Sequence, residues 1–194
     1  MDESIQTGKD FERIAKNINP GGWTIETDRP ISTLLGSCVS VCLHDPKLRL
    51  GGMNHFLLPS RSGTNADVDV ILNGDYSMEV LVNALLNKGA QKSRLIAKAF
   101  GGGTIISAIR MDIGGRNSAF AKEWLEREGI RLVASDFNGP WSRKVVFIPQ
   151  TGEAFCRRIP TTQANTISVA QAELEYERSL SVQKKTVEKK IELF

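Results

Sequence analysis

Long apolar runs are missing from this sequence. No stretch approaches the roughly 18 to 20 consecutive apolar residues that span a bilayer. The polar start MDESIQTGKDFERIAKNINPGG has no hydrophobic segment of the kind a secretory signal needs. Cysteine is scarce, with three in 194 residues and none in a CxxC pair. That excludes a disulfide scaffold and makes a reduced cytoplasm the expected compartment. Charge of one sign is not in excess either: 25 Lys+Arg face 22 Asp+Glu, a net +3. This is too little, and too evenly spread, to argue for a nucleic-acid partner. With 41% hydrophobic and 24% charged residues, the chain is neither disordered nor fibrous. Its length suits one domain of ordinary size, or one domain and a tail.

What is present has a clear punctuation. Residues 1–22 are polar and end in the turn Asn19-Pro20-Gly21-Gly22. Trp23–Asp28 alternates weakly, as a strand would. Cys38–Leu43 alternates strongly, with Val39, Val41 and Leu43 on one face and Cys38, Ser40 and Cys42 on the other. Asp45-Pro46 starts a turn, and a second β-like run from Arg49 to Leu58 makes an antiparallel hairpin. Residues 60–74 read as a long loop. Met78, Leu81, Val82, Leu85 and Leu86 have helical spacing, closed by Gly89. Ser93–Phe100 reads as a strand. A second helix, with Asn117 as its cap, carries Phe120, Ala121, Trp124 and Leu125 and is closed by Gly129. Arg131–Ala134, Lys144–Ile148 and Ala154–Ile159 read as further strands. Interspersed strands and helices place the fold in the α/β (α+β) class with a mixed sheet.

The composition changes after Pro160. Residues 161–194 hold no Gly or Pro, five Glu and five Lys/Arg. The expected domain, 23–160, is therefore followed by a charged helical or disordered tail, 161–194. With no Cys or His, that tail is expected to be a solvated extension dispensable for catalysis, a docking helix being the other reading.

Two histidines, His44 and His55, leave few ways to build a Cys/His catalyst. With Asp45–Leu48 as a four-residue loop, paired positions sum to 93, and Cys38 stands across from His55 on one face. Their Cβ atoms would be roughly 4.5–5.5 Å apart, as a thiolate–imidazole pair requires. His44 is six residues along the same strand, about 20 Å away at roughly 3.3 Å per residue, and Cys42 faces a glycine. An imidazole beside a thiol lowers its pKa and later protonates a leaving amine. Gly36-Ser37 permits a turn that aims backbone N–H groups at a bound carbonyl oxygen. Against this, a cysteine on a strand is usually a small buried hydrophobe. A zinc site from Cys38, Cys42, His44 and His55 is not expected, because the strand spreads its ligands too far. Gly101-Gly102-Gly103-Thr104 lacks the P-loop and GxGxxG patterns and reads as a tight turn.

The run Leu35–Leu43, then Asp45-Pro46, Gly51–His55 and Leu58-Pro59, closely resembles the chemoreceptor glutamine deamidase (CheD) family. Gly74–Met78, Lys98–Gly102 and Ile113–Asn117 resemble it too, so that the likeness covers about residues 20–160. It implies layered mixed β-sheets with flanking helices, similar to the deamidase domain of cytotoxic necrotizing toxins. It implies a hydrolase that converts glutamines of methyl-accepting chemotaxis receptors to glutamates without metal or organic cofactor. Cys38 would be the nucleophile and His55 the base. A hydroxyl shortly before the cysteine would complete the set, supplied by Ser32 or, alternatively, Thr33. Gly36 and Ser37 would lie next to the substrate. No membrane insertion is implied. A transglutaminase is the neighbouring enzyme reading. The non-enzymatic one is a regulatory partner of a chemotaxis phosphatase, which the family also binds in some bacteria.

Overall fold

The computed structural model describes residues 8–58, 66–105, 112–160 and 164–191. In chain order the elements are α1 (Gly8–Ile14), β1 (Lys16–Asn17), β2 (Trp23–Glu26), β3 (Ile31–Leu35), β4 (Val39–Asp45), β5 (Leu50–Asn54) and α2 (Ala66–Asn87). There follow β6 (Ile96–Gly101), α3 (Ile113–Arg127), β7 (Arg131–Phe137), β8 (Trp141–Ile148), β9 (Glu153–Pro160) and α4 (Ala164–Ile191). One mixed sheet runs β1-β3-β8-β9 and a second runs β2-β5-β4-β6-β7. The fold is α+β.

The alternation of β4 explains the layering. Val39, Val41 and Leu43 pack under α2 and α3, in a core with Met78, Leu81, Val82, Leu85, Trp124 and Leu125. Cys38 and Cys42 face the other way, into a second core with Ile31, Leu35, Val145 and Phe147 of the first sheet. Every residue of β4 is buried as a result. The second sheet is the middle layer, with helices on one face and the first sheet on the other.

Three expectations need correcting. The hairpin register is displaced by two: Cys42 pairs with Met53 and Asp45 with Leu50, so paired positions sum to 95. Asp45 ends the strand rather than entering the loop. Its buried carboxylate accepts from the Lys47 and Leu48 N–H groups and holds the turn over Pro46–Arg49. Side chains alternate with period two, so an even slip keeps every residue on its face. The second helix begins at Ile113 with Asp112 as its cap, which places Asn117 inside the helix. The stretch read as a loop is helical from Ala66, and 59–65 lie outside the described residues. The chain is held at Gly89 by a positive φ of 93°, as the closing glycine requires.

Candidate active site

The turn Gly36–Cys38 joins β3 to β4, and its three carbonyls are tied back to the body of the fold. Gly103 N donates to Gly36 O and Gly102 N to Cys38 O, each at 2.8 Å, while Asn117 Nδ2 donates to Ser37 O at 2.8 Å. The triple glycine is therefore a brace for this turn. A Cβ at Gly101, whose φ is +122°, would lie 2.1 Å from Cys38 O, so no side chain is possible there. With the carbonyls anchored, the N–H groups of Gly36, Ser37 and Cys38 converge on one acceptor. The turn is a nest of backbone donors of the kind that suits an anion.

His55 follows β5, and its main chain bonds to the Asn19–Gly22 turn: Gly21 N donates to His55 O and His55 N to Gly22 O. Its Nδ1 is 2.7 Å from Thr33 Oγ1. That hydroxyl donates its one proton to Ile18 O at 2.8 Å, so toward the ring it can only accept. The proton of the neutral imidazole therefore sits on Nδ1, and Nε2, buried without a hydrogen-bond partner, keeps its lone pair. A ring nitrogen of His55, Cys38 Sγ and a Glu173 oxygen all lie within 4.8 Å of one another. The diagonal left by the two-residue slip still lets Cys38 and His55 meet.

Glu173, from α4, is the acceptor in the nest. Its Oε1 accepts from Gly36 N at 2.8 Å and Cys38 N at 3.0 Å. Its Oε2 accepts from Ser37 N at 2.8 Å and Ser37 Oγ at 2.7 Å. Burial, then the negative charge of Glu173, push the Cys38 thiol well up. Burial lowers His55 to about 4, Glu173 opposing the shift. Both shifts favour the neutral forms, thiol and imidazole. Cys38, His55 and Glu173 are also the one cluster of three His, Cys or acidic groups near enough for a metal ion among the described residues. Both carboxylate oxygens are already taken by four N–H and O–H donors, an arrangement made for an anion.

The family model CheD, described as CheD chemotactic sensory transduction, matches residues 57–158. The chain belongs to the CheD family. It is 58% identical over 197 residues to the "Probable chemoreceptor glutamine deamidase CheD 2" of Dechloromonas aromatica, covering 100% of each chain. It is 43% identical to the like-named protein of Burkholderia thailandensis, over 89% of this chain and 90% of that one. It is 41% identical to the "Probable chemoreceptor glutamine deamidase CheD 1" of Shewanella oneidensis, over 84% and 81%.

Within this CheD-family fold, Cys38, His55, Gly36 and Ser37 come together, and Thr33 joins them. Ser32 does not. Its Oγ donates to Asn17 Oδ1 and accepts from Lys144 Nζ, both at 3.4 Å. Adjacent strand residues point to opposite faces, so only one of the two hydroxyls can reach His55. His44 and Cys42 stay out of the cluster: His44 is lowered by its own burial, and burial raises the Cys42 thiol. Two contributors escaped the sequence. Asn117 bridges Ser37 O and Leu58 N, hidden behind its reading as a cap. Glu173 had a visible signal: α4 turns Val169, Ala170, Glu173, Tyr176 and Leu180 inward, and a glutamate breaks that apolar stripe. The tail reaches the centre of the site.

Proposed function

We propose that this chain is a protein-glutamine deamidase acting in the cytoplasm on glutamines of methyl-accepting chemotaxis receptors. The observation that carries the reading is the line of hydrogen bonds from Ile18 O through the Thr33 hydroxyl to the His55 imidazole, with the Cys38 thiol within 4.8 Å of a ring nitrogen and beside a three-donor nest. His55 Nε2 takes the Cys38 proton as sulfur bonds to the glutamine Cδ, and the amide oxygen gains charge within the nest. His55 returns the proton to nitrogen, the C–N bond breaks, and ammonia leaves a thioester. Water then gives a proton to His55 and its oxygen to Cδ, and the C–S bond breaks as the thiol is re-formed. One water is consumed, one ammonia is released, and glutamine becomes glutamate. Thr33 positions the imidazole. The relatives' names support the receptor as substrate.

The test incubates the receptor cytoplasmic domain with the intact chain, and separately with its Glu173→Ala variant, and maps glutamines by peptide mass spectrometry. Conversion that vanishes in a Cys38→Ala background is the expected result. Receptor glutamines unchanged by both proteins would overturn the reading.

A further inference from the structure

The inward stripe of α4 poses a chemical question. Val169, Ala170, Tyr176 and Leu180 face the domain, as an amphipathic helix requires. Tyr176 packs so closely on the Asn19–Gly22 turn that a Cβ at Gly21 would lie 2.4 Å from its ring. At the centre of this stripe, Glu173 is 5% exposed. An apolar residue would dock the helix equally well, whereas a buried carboxylate is costly unless fully hydrogen bonded. It is fully hydrogen bonded, by Gly36 N, Ser37 N, Ser37 Oγ and Cys38 N. Those donors surround the sulfur. A glutamate side chain beside Cys38, with its oxygens in the nest, has the form of the product of glutamine deamidation.

We propose that α4 is a tethered product analogue, which closes the cleft over Cys38 through Glu173 until a glutamine-bearing helix of a partner displaces it. The catalytic half of this statement rests on the function proposed above; the occlusion does not. Glutamate has no amide to lose, so the tethered side chain occupies the site without turnover. Its carboxylate also disfavours the thiolate, which keeps the sulfur unreactive while α4 is docked. Grooves remain on both sides of the helix, one lined by Leu57, Ile113 and Leu174 and the other by Trp23, Asn54 and Leu180. The contact is a narrow stripe, which suits release. It also describes the incoming segment: a glutamine on an α-helix, with a small side chain at the position of Ala170, one turn earlier.

The experiment compares the intact chain with Glu173→Ala, Glu173→Gln and Val169→Lys, the last loosening α4 without touching the nest. Circular dichroism checks that each is folded. Alkylation of Cys38 by iodoacetamide, read by peptide mapping to separate it from Cys42 and Cys156, should accelerate about ten-fold or more in Glu173→Ala and Val169→Lys, since only molecules with α4 lifted react. Equal alkylation rates in all folded variants would overturn the occlusion. Glu173→Gln places an amide in the nest, so residue 173 should be converted to the acid within its own chain, and a Cys38→Ala background should prevent it. If alkylation accelerates but neither residue 173 nor any receptor glutamine is converted, occlusion stands and the deamidase reading falls. Deamidation that is unaffected by Glu173→Ala and Val169→Lys, at unchanged alkylation, leaves the enzyme and removes the plug.

Discussion

Thr33 Oγ1 stands 2.7 Å from His55 Nδ1 and donates to the Ile18 carbonyl. The hydroxyl thereby decides which nitrogen of the ring carries a proton and which keeps its lone pair. Thr33→Val keeps the shape and removes both bonds. Turnover should fall about 10- to 100-fold, with KM little changed, because an interaction used in proton transfer is lost while the substrate cleft is kept. Thr33→Ser should restore most of the loss, and Ser32→Ala should be near wild type. Steady-state kinetics on a glutamine peptide, in the Glu173→Ala background, measure all three.

Asn117 gives a second prediction. Its side chain is wholly buried, accepting from Leu58 N at 3.0 Å and donating to Ser37 O at 2.8 Å. Asn117→Ala leaves a buried N–H and a buried C=O without partners, about 1–3 kcal/mol for each. Asn117→Asp keeps the acceptor for Leu58 but sets a carboxylate against the Ser37 carbonyl. Urea unfolding should rank wild type above both variants, and both should lose turnover, because the nest is no longer braced from behind.

The residues that were legible in the sequence were those with a local pattern. Alternation over Cys38–Leu43 assigned the faces of β4 correctly, since its two faces carry different residue types. Met78, Leu81, Val82 and Leu85 at helical spacing became the buried face of α2. Cys38 and His55 do not stand directly opposite one another as the register of 93 requires; they share a face and come near each other because the error of two equals the period of a strand. Thr33 could not be told from Ser32, because both faces of β3 are buried and alternation is silent there. The break in the apolar stripe of α4 marks Glu173 as unusual, but it lies 135 residues from Cys38 in sequence, and no local rule names a partner at that distance. The helix start at Asp112 is hidden by Gly114-Gly115, which are poor helix formers in its first turn.

A third prediction concerns the far end of the same hairpin. The Asp45 carboxylate is fully buried and pairs with Arg94, at 2.6 Å to Nη2 and 3.1 Å to Nε. It also accepts from Gln91 N at 3.2 Å and is held at about 2 despite its burial. Arg94→Leu removes the counter-charge from a buried carboxylate and should cost about 3 kcal/mol. Asp45 is seven residues from Cys38 along β4, about 23 Å at roughly 3.3 Å per residue. Turnover per folded molecule should therefore be unchanged, a separation that paired denaturation and activity measurements will read.

The last prediction is the pH dependence of stability. His55 is buried and lowered from 6.5 to about 4. As pH falls through 6.5, the unfolded chain takes up a proton that the folded chain refuses until about 4. Bound protons then favour unfolding, so stability is greatest above that window and declines across it, by on the order of 3 kcal/mol from this group. His44, lowered mainly by burial, adds to the same slope. Asp45 acts at lower pH with the opposite cause. Its folded value of about 2 lies below its ordinary 3.8, so the stability it confers is present above 3.8 and is lost as pH falls toward 2. Asp136, held well down by Arg158 and Arg143, behaves likewise. Urea unfolding at intervals from pH 7.5 to 3 should show a decline between 6.5 and 4 that His55→Gln largely removes. A His55→Gln curve parallel to wild type across that window would mean that the imidazole titrates alike in the folded and unfolded chains, and that burial does not hold it neutral.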